Sequence, residues 1–238
     1  MTEKQRPLSW HHPEVAKYEQ TIALKIPGYA YLYEMTERLL GAQLPQTGEQ
    51  KHILVVGAGG GQEIVTLGAK HEHWTFTGVD PSAQMLERAR HRTAAADLAA
   101  RTVLHEGTVD VLPEQTAYDA ATCLLVLHFV KGLAAKRELL QQIAARLKPG
   151  APFCLAAIAG DPQSQAFAMQ MQAWRTHMTD NGISLAEWER FAASMGQESD
   201  PIPACQVQEL MEEAGFEHSS RYFGSYLINA WFAVKSSR

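Results

Sequence analysis

Residues Lys51 to Gly61 read K-H-I-L-V-V-G-A-G-G-G, and this stretch decides the fold. Its apolar run, Ile53 to Val56, is too short for a helix and rich in β-branched side chains, so it reads as a buried strand. Four glycines in the five positions from Gly57 to Gly61 follow at once. They let the backbone turn sharply and approach a ligand closely, which a Cβ would obstruct. Gln62 to Lys70 has helical character. The turn therefore lies between a strand and a helix N-terminus, where free N–H groups favour an anionic ligand.

A glycine turn alone is a weak signal, since it can also be a purely structural bend. The next apolar run, Trp74 to Val79, adds weight by ending in Asp80, nineteen residues past Gly61. A carboxylate at that strand edge can accept hydrogen bonds from both hydroxyls of a ribose. Together the two features predict a nucleoside lying across the first two strands. The nicotinamide fingerprint has its third glycine where Gln62 stands, whereas here the glycines alternate as Gly57, Gly59 and Gly61. In this the sequence resembles the class I S-adenosylmethionine-dependent methyltransferases, whose first motif carries glycines at alternate positions. The cofactor that the resemblance implies, S-adenosylmethionine, has a zwitterionic methionine end without phosphate, for which a shorter turn suffices.

Composition narrows the class. The chain has 238 residues, enough for one globular domain with a small cap, and 46% of them are hydrophobic and 20% charged. A formal net charge of −5 argues against a broad nucleic-acid surface, so direct nucleic-acid binding is not expected. Cys123, Cys154 and Cys205 are scattered, without metal-ligand spacing, and read as small apolar residues in a reducing compartment. No run approaches the ~18 apolar residues of a membrane span, and no N-terminal apolar segment suggests export. The expectation is a cytoplasmic protein that binds no metal and no membrane.

Along the chain, Pro13–Lys25 and Tyr29–Leu40 read as two helices separated by Ile26-Pro27-Gly28, where proline and glycine force a turn. A helix follows Pro81-Ser82 to about Thr93, and strands are predicted at Thr102–His105, Ala120–Leu127 and Phe153–Ile158. Between the last two, a helix runs from Leu133 to Leu147 and stops at Lys148-Pro149-Gly150. Strand–helix alternation of this kind predicts an open parallel sheet covered on both faces. Asp161 to Pro203, rich in Met and Trp, reads as two or three further helices. After a helix over Gln206–Ala214, Arg221–Leu227 and Ala230–Lys235 are too close in sequence for a parallel crossover and must pair antiparallel. The predicted fold is α/β, a Rossmann-like seven-stranded, mostly parallel sheet with an antiparallel C-terminal hairpin and a helical cap. Its expected divisions are an N-terminal cap segment (1–50), a cofactor-binding core (51–160), a cap insertion (161–205) and a C-terminal helix and hairpin completing the core (206–238).

The resemblance extends from about Glu14 to Lys235 and is nearest to the carboxy-S-adenosylmethionine synthases, a family acting in wobble-uridine modification of tRNA. It is carried by Ile26-Pro27-Gly28-Tyr29, Asp80-Pro81-Ser82, Leu127-His128-Phe129 and Ala214-Gly215-Phe216-Glu217-His218-Ser219. The resemblance implies that Tyr29 touches the cofactor from the N-terminal segment. It further implies that Gly57, Ala58, Gly59 and Gly61 form the turn, that Asp80 holds the ribose and that Met85 covers the adenine. Thr108 and Val109 fall at the adenine edge, and Leu124 at the end of the fourth strand.

The chain departs from the pattern at four places. Val55 stands where many class members carry an acid, Thr108 where an aspartate is usual, and Leu124 where the synthases have asparagine. Ala192 stands where an arginine pairs with the extra carboxylate of the synthases' product, with Arg190 two residues away. Ordinary methyl transfer to a small-molecule acceptor is therefore the expected activity. Synthase-like chemistry, with Arg190 or Arg175 as the carboxylate partner, and cofactor binding without catalysis are the alternatives. His128 is the first candidate for a general base, ahead of His177 and the His11-His12 pair. The related synthases also imply a homodimer.

Overall fold

The computed structural model describes residues 21–44, 48–114 and 117–237. Seven strands form one sheet: β1 (Lys51–Val56), β2 (Trp74–Asp80), β3 (Thr102–Glu106), β4 (Ala120–Leu124), β5 (Pro152–Ile158), β6 (Phe216–Ser225) and β7 (Ile228–Lys235). Their spatial order is β3-β2-β1-β4-β5-β7-β6. The first five are parallel, and β7 runs antiparallel between β5 and β6, as the short connection required. The order reverses between β1 and β4, which in open α/β sheets is where a crevice for ligands opens beyond the carboxyl ends of the strands.

Alternation along the strands assigns the two faces. Ile53, Val55, Ala120, Leu124, Cys154 and Ala156 point to one side, which is covered by α1 (Tyr29–Gln43), α2 (Gln62–Gly68) and α3 (Ala83–Ala95). Leu54, Val56, Ala121, Cys123, Phe153 and Leu155 point to the other, against α4 (Leu133–Ala145) and α7 (Ala204–Glu213). Strands covered on both faces read as continuous apolar runs, which is why they were legible in the sequence.

The segment between β5 and α7 holds two helices, α5 (Gln165–Asp180) and α6 (Leu185–Ser194), each capped by a serine, Ser164 and Ser184. Trp174, Met178 and Trp188 bury themselves against Ile22, Ile26 and Leu227. The Trp174 indole donates to the Lys25 carbonyl at 2.6 Å, and the Lys25 ammonium pairs with Glu187 at 2.7 Å. The described end of the first expected helix is helical over 21–25. The rest of that prediction, with Tyr18 and the His11-His12 pair, lies outside the described residues.

Helix ends shift by up to three residues from the expectation, and the strands depart from it at three places. Strand β4 stops at Leu124, not Leu127, because Leu125 adopts φ +62° and a short 3₁₀ turn, Leu127–Phe129, follows. Strand β6 starts at Phe216, five residues before Arg221, running through a bulge in which His218 has φ +59°. The hairpin turns at Tyr226-Leu227, since Ile228, fully buried, is already paired with both Ser225 and Ile158. Among the described residues no helix is long and apolar enough to cross a membrane. Nor do any three His, Cys, Asp or Glu side chains among them group as metal ligands.

Candidate active site

A cleft opens at the carboxyl ends of β1, β2 and β4, floored by the glycine turn. The turn is anchored from two sides. The N–H groups of Gly57 and Ala58 both donate to the Val79 carbonyl at 2.9 Å, and the Gly59 N–H donates to Asp80 Oδ2 at 2.9 Å. Gly57, Gly59 and Gly61 have φ of +71°, +47° and +79°, the left-handed region that glycine enters without strain. The three serve different ends. A Cβ on Gly57 would lie 2.2 Å from Val126 Cγ2, and one on Gly61 would lie 3.0 Å from the Ala89 backbone of α3, so both are packing glycines. A Cβ on Gly59 would meet nothing nearer than Met85 Cε at 3.4 Å, so there the bare backbone keeps the cleft open.

Asp80 closes β2 with its carboxylate turned onto the turn and the next helix. Oδ1 accepts from the Ser82 N–H at 2.8 Å, while the Ser82 hydroxyl caps α3 by accepting from the Met85 N–H at 3.3 Å. Burial pushes the Asp80 carboxyl above its ordinary value, and the Ser82 and Gly59 N–H groups offset part of that rise. A carboxylate has about four acceptor sites. Two are used here, which leaves capacity for a pair of vicinal hydroxyls. The adjoining walls are apolar and aromatic: Tyr29 and Tyr33 from α1, Met85 from α3, and Leu124, Leu125, Val126 and Phe129 after β4. Tyr29 and Tyr33 meet edge to face at 4.8 Å between ring centres.

One further acid lines this cleft. Glu63, in the first turn of α2, is 4% exposed, and its Oε1 has no hydrogen-bond partner among the described residues. Burial raises its carboxyl to about 8, and the nearby Thr122 hydroxyl offsets part of that rise.

Comparison with known proteins agrees with this geometry. Residues 54–153 match the family described as "Methyltransferase domain". The chain is 23% identical over 225 residues to the carboxy-S-adenosyl-L-methionine synthases of Salmonella typhimurium and Salmonella typhi, covering 92% of this chain and 87% of theirs. Among solved structures it resembles a putative O-methyltransferase from Nostoc punctiforme, with a TM-score of 0.68 and 17% identity over 94% of this chain. It spans 61% of that protein's length. A possible exported protein from Bordetella parapertussis matches at a TM-score of 0.68 and 19% identity, covering 98% of this chain and 77% of that one. The likeness to a methyltransferase domain covers residues 54–153, and the described chain shares the fold of the solved methyltransferases.

Within the cleft the structure brings together Tyr29, Gly57, Ala58, Gly59, Asp80, Met85 and Leu124. Gly61, Thr108, Val109 and His128 do not line it. Gly61 sits behind the turn against α3, Val109 is fully buried, and the Thr108 hydroxyl donates to the adjacent Asp110 carboxylate. His128, the first candidate for a general base, does not reach the cleft. Its ring is buried beneath the β4–α4 connection, where Nδ1 accepts from the Ile158 N–H at 3.2 Å. Burial and the Lys136 ammonium lower its pKa to about 3, and its lone pair is committed to β5. His177, Arg175 and Arg190 also fall outside the lining.

Sequence reasoning missed Glu63, Tyr33, Leu125, Val126 and Phe129. Glu63 had a usable signal, since an acid two residues beyond a glycine turn lies in the first helical turn and faces the same ligand. Leu125 had none: nothing about a leucine announces a left-handed backbone.

Proposed function

We propose that this chain is an S-adenosylmethionine-dependent methyltransferase acting on a small, partly apolar molecule. The observation that carries the reading is the convergence on one cleft of an open glycine backbone at Gly59, a carboxylate at Asp80 with spare acceptor sites, and an orphaned buried acid at Glu63. These residues fit the cofactor's ribose and the ammonium group of its amino-acid end. When bound, S-adenosylmethionine supplies a methyl group on a sulfonium, an already activated donor.

The chain's own part is to bind, orient and exclude water. Asp80 would accept from the ribose hydroxyls while holding the turn through Gly59. Met85 would cover the base, and the wall of Tyr29, Tyr33, Leu125 and Phe129 would seat the acceptor. No histidine lines the cleft among the described residues, and the part these lining residues would play is to orient the acceptor against the activated donor.

The likeness to the carboxy-S-adenosyl-L-methionine synthases over 92% of the chain supports a second reading, formation of the carboxylated cofactor. The extra carboxylate requires a cationic partner; neither Arg175 nor Arg190 lines the cleft, and Arg92, which does, stands on α3 with Met85, on the side expected to hold the base. Methyl transfer is therefore the better-supported reaction. Mass spectrometry of ligand released from the purified protein separates the two, and calorimetric titration of the stripped protein with S-adenosylmethionine completes the test. The ordinary cofactor, bound in a manner weakened by Asp80→Asn, is the expected result. Recovery of the carboxylated form would favour the synthase reading. Binding without consumption across an acceptor screen would favour a cofactor-binding protein without catalysis.

A further inference from the structure

Glu63 is the group in this cleft that internal packing does not explain. Its carboxyl lies against the Thr122 hydroxyl, which in turn occupies the β4 position paired with Val55 of β1. Neither Glu63 Oε1 nor Thr122 Oγ1 has a hydrogen-bond partner among the described residues. The other titratable groups near it are neutral. Cys123 on β4 and Cys154 on β5 are thiols held well above their usual range by burial and by Glu63 itself. Tyr222 on β6 is likewise held protonated, and its hydroxyl shares a 2.6 Å hydrogen bond with Thr36 of α1. From the remaining elements, Asp80 of β2 and Arg92 of α3 line the same cleft, yet neither figures among the influences on Glu63. A buried carboxyl with no cation beside it is costly to ionise, and an orphaned buried oxygen in a cleft calls for a ligand.

The sheet order says which part of a ligand it meets. Asp80 lies on β2, the glycine turn follows β1, and Glu63 lies over β4, so the three run in order across the switch point. A nucleoside held by its ribose at Asp80 would have its 5′ substituent directed over the turn, towards β4. Resting on the S-adenosylmethionine reading of the cleft, we propose that Glu63 is the partner of the cofactor's α-ammonium group and releases its proton to solvent when that group binds. The pairing replaces a neutral acid by a charge-assisted hydrogen bond, the strong kind. Binding is thereby tied to pH through a carboxyl that stands near 8 in the free protein.

The test is calorimetric titration at pH 6.5 in two buffers of different ionisation enthalpy, with wild type and Glu63→Gln. Three ligands serve: S-adenosylmethionine, S-adenosylhomocysteine, which keeps the ammonium and lacks the sulfonium charge, and 5′-methylthioadenosine, which lacks the amino acid. In wild type the first two should release about one proton each, and methylthioadenosine none. Glu63→Gln should weaken both amino-acid ligands at least tenfold, abolish the proton release and leave methylthioadenosine within twofold, which also shows that the variant is folded. Equal affinities and equal proton release in the two proteins would overturn the proposal. So would loss confined to S-adenosylmethionine, which would point to the sulfonium, or equal loss of all three ligands, which would mean general damage to the cleft. If wild type binds none of the three, the cofactor reading itself fails, and this inference with it.

Discussion

At Gly57 two constraints coincide: φ is +71°, and an added Cβ would lie 2.2 Å from Val126 Cγ2. Gly57→Ala is therefore expected to lose about 2–4 kcal/mol of stability, from left-handed strain together with overpacking, read by urea denaturation. Gly59→Ala carries only the strain, since its Cβ would meet Met85 Cε at 3.4 Å and otherwise face the cleft. It should cost about 1 kcal/mol in folding yet weaken the cofactor more than Gly57→Ala does, because the methyl group occupies the ligand's approach. Asp80→Asn should weaken cofactor binding roughly 10- to 100-fold, because its amide cannot accept from both the Gly59 and Ser82 N–H groups and offers the ribose fewer acceptors. At this scale the sequence showed the turn and Asp80 through residue type and spacing. It could not show which glycine packs and which stays open, since that depends on α3 and the segment after β4, which are remote in sequence. His128 misled for a related reason: a histidine beside a strand end reads the same whether its ring faces the cleft or, as here, the backbone of β5.

Among the elements, the connection from β4 to α4 has the most bearing on the cleft, since Leu125, Val126 and Phe129 form one of its walls. It is held from behind. The Lys136 ammonium of α4, fully buried, donates to the carbonyls of Leu127 and Val130 and to Asp200 Oδ2 at 3.1 Å. The Asp200 N–H donates to the His128 carbonyl at 2.6 Å, and its Oδ2 accepts from Gly132 at 2.7 Å. Lys136→Met keeps the length of the side chain and removes all three donations. The expected loss is about 2–4 kcal/mol, from buried carbonyls left without a donor, with weaker acceptor binding as the wall shifts. Asp200→Asn should cost less, about 1 kcal/mol, because that side chain is 38% exposed and the amide oxygen still accepts. Chemical denaturation of the two variants gives the comparison. Element types and the antiparallel pairing of the last two strands were legible because apolar runs, glycine–proline stops and a short hairpin connection each have a single economical reading. The ends of β4 and the course of β6 were not, because they hang on left-handed Leu125, His218 and Tyr226, residues whose side chains give no sign of that conformation.

For the molecule as a whole, the two buried groups that the sequence placed wrongly or overlooked set a pH profile for stability. His128 is held at about 3 against 6.5 in a free chain. The unfolded chain therefore binds more protons between those values, and stability is lost as pH falls from 6.5. Glu63 is held at about 8 against 4.5, so the folded chain binds more protons in that window and stability is lost as pH rises. Between pH 4.5 and 6.5 the two slopes oppose and cancel, giving a plateau. On each side the free protein should lose about 1.4 kcal/mol per pH unit from these groups. Asp119 and Asp200, both held below the ordinary carboxylate value by the partners around them, add to the acid limb. The alkaline limb belongs chiefly to Glu63 and is the cleaner measurement. Urea unfolding from pH 5 to 8.5 should show that limb in wild type, lose it in Glu63→Gln and retain it in His128→Gln. Saturating S-adenosylmethionine should flatten it in wild type as well, because a bound ammonium removes the cost of ionising the carboxyl. An alkaline limb identical in wild type and Glu63→Gln would mean that Glu63 is already ionised in the free cleft, and the coupling of cofactor affinity to pH would have no source.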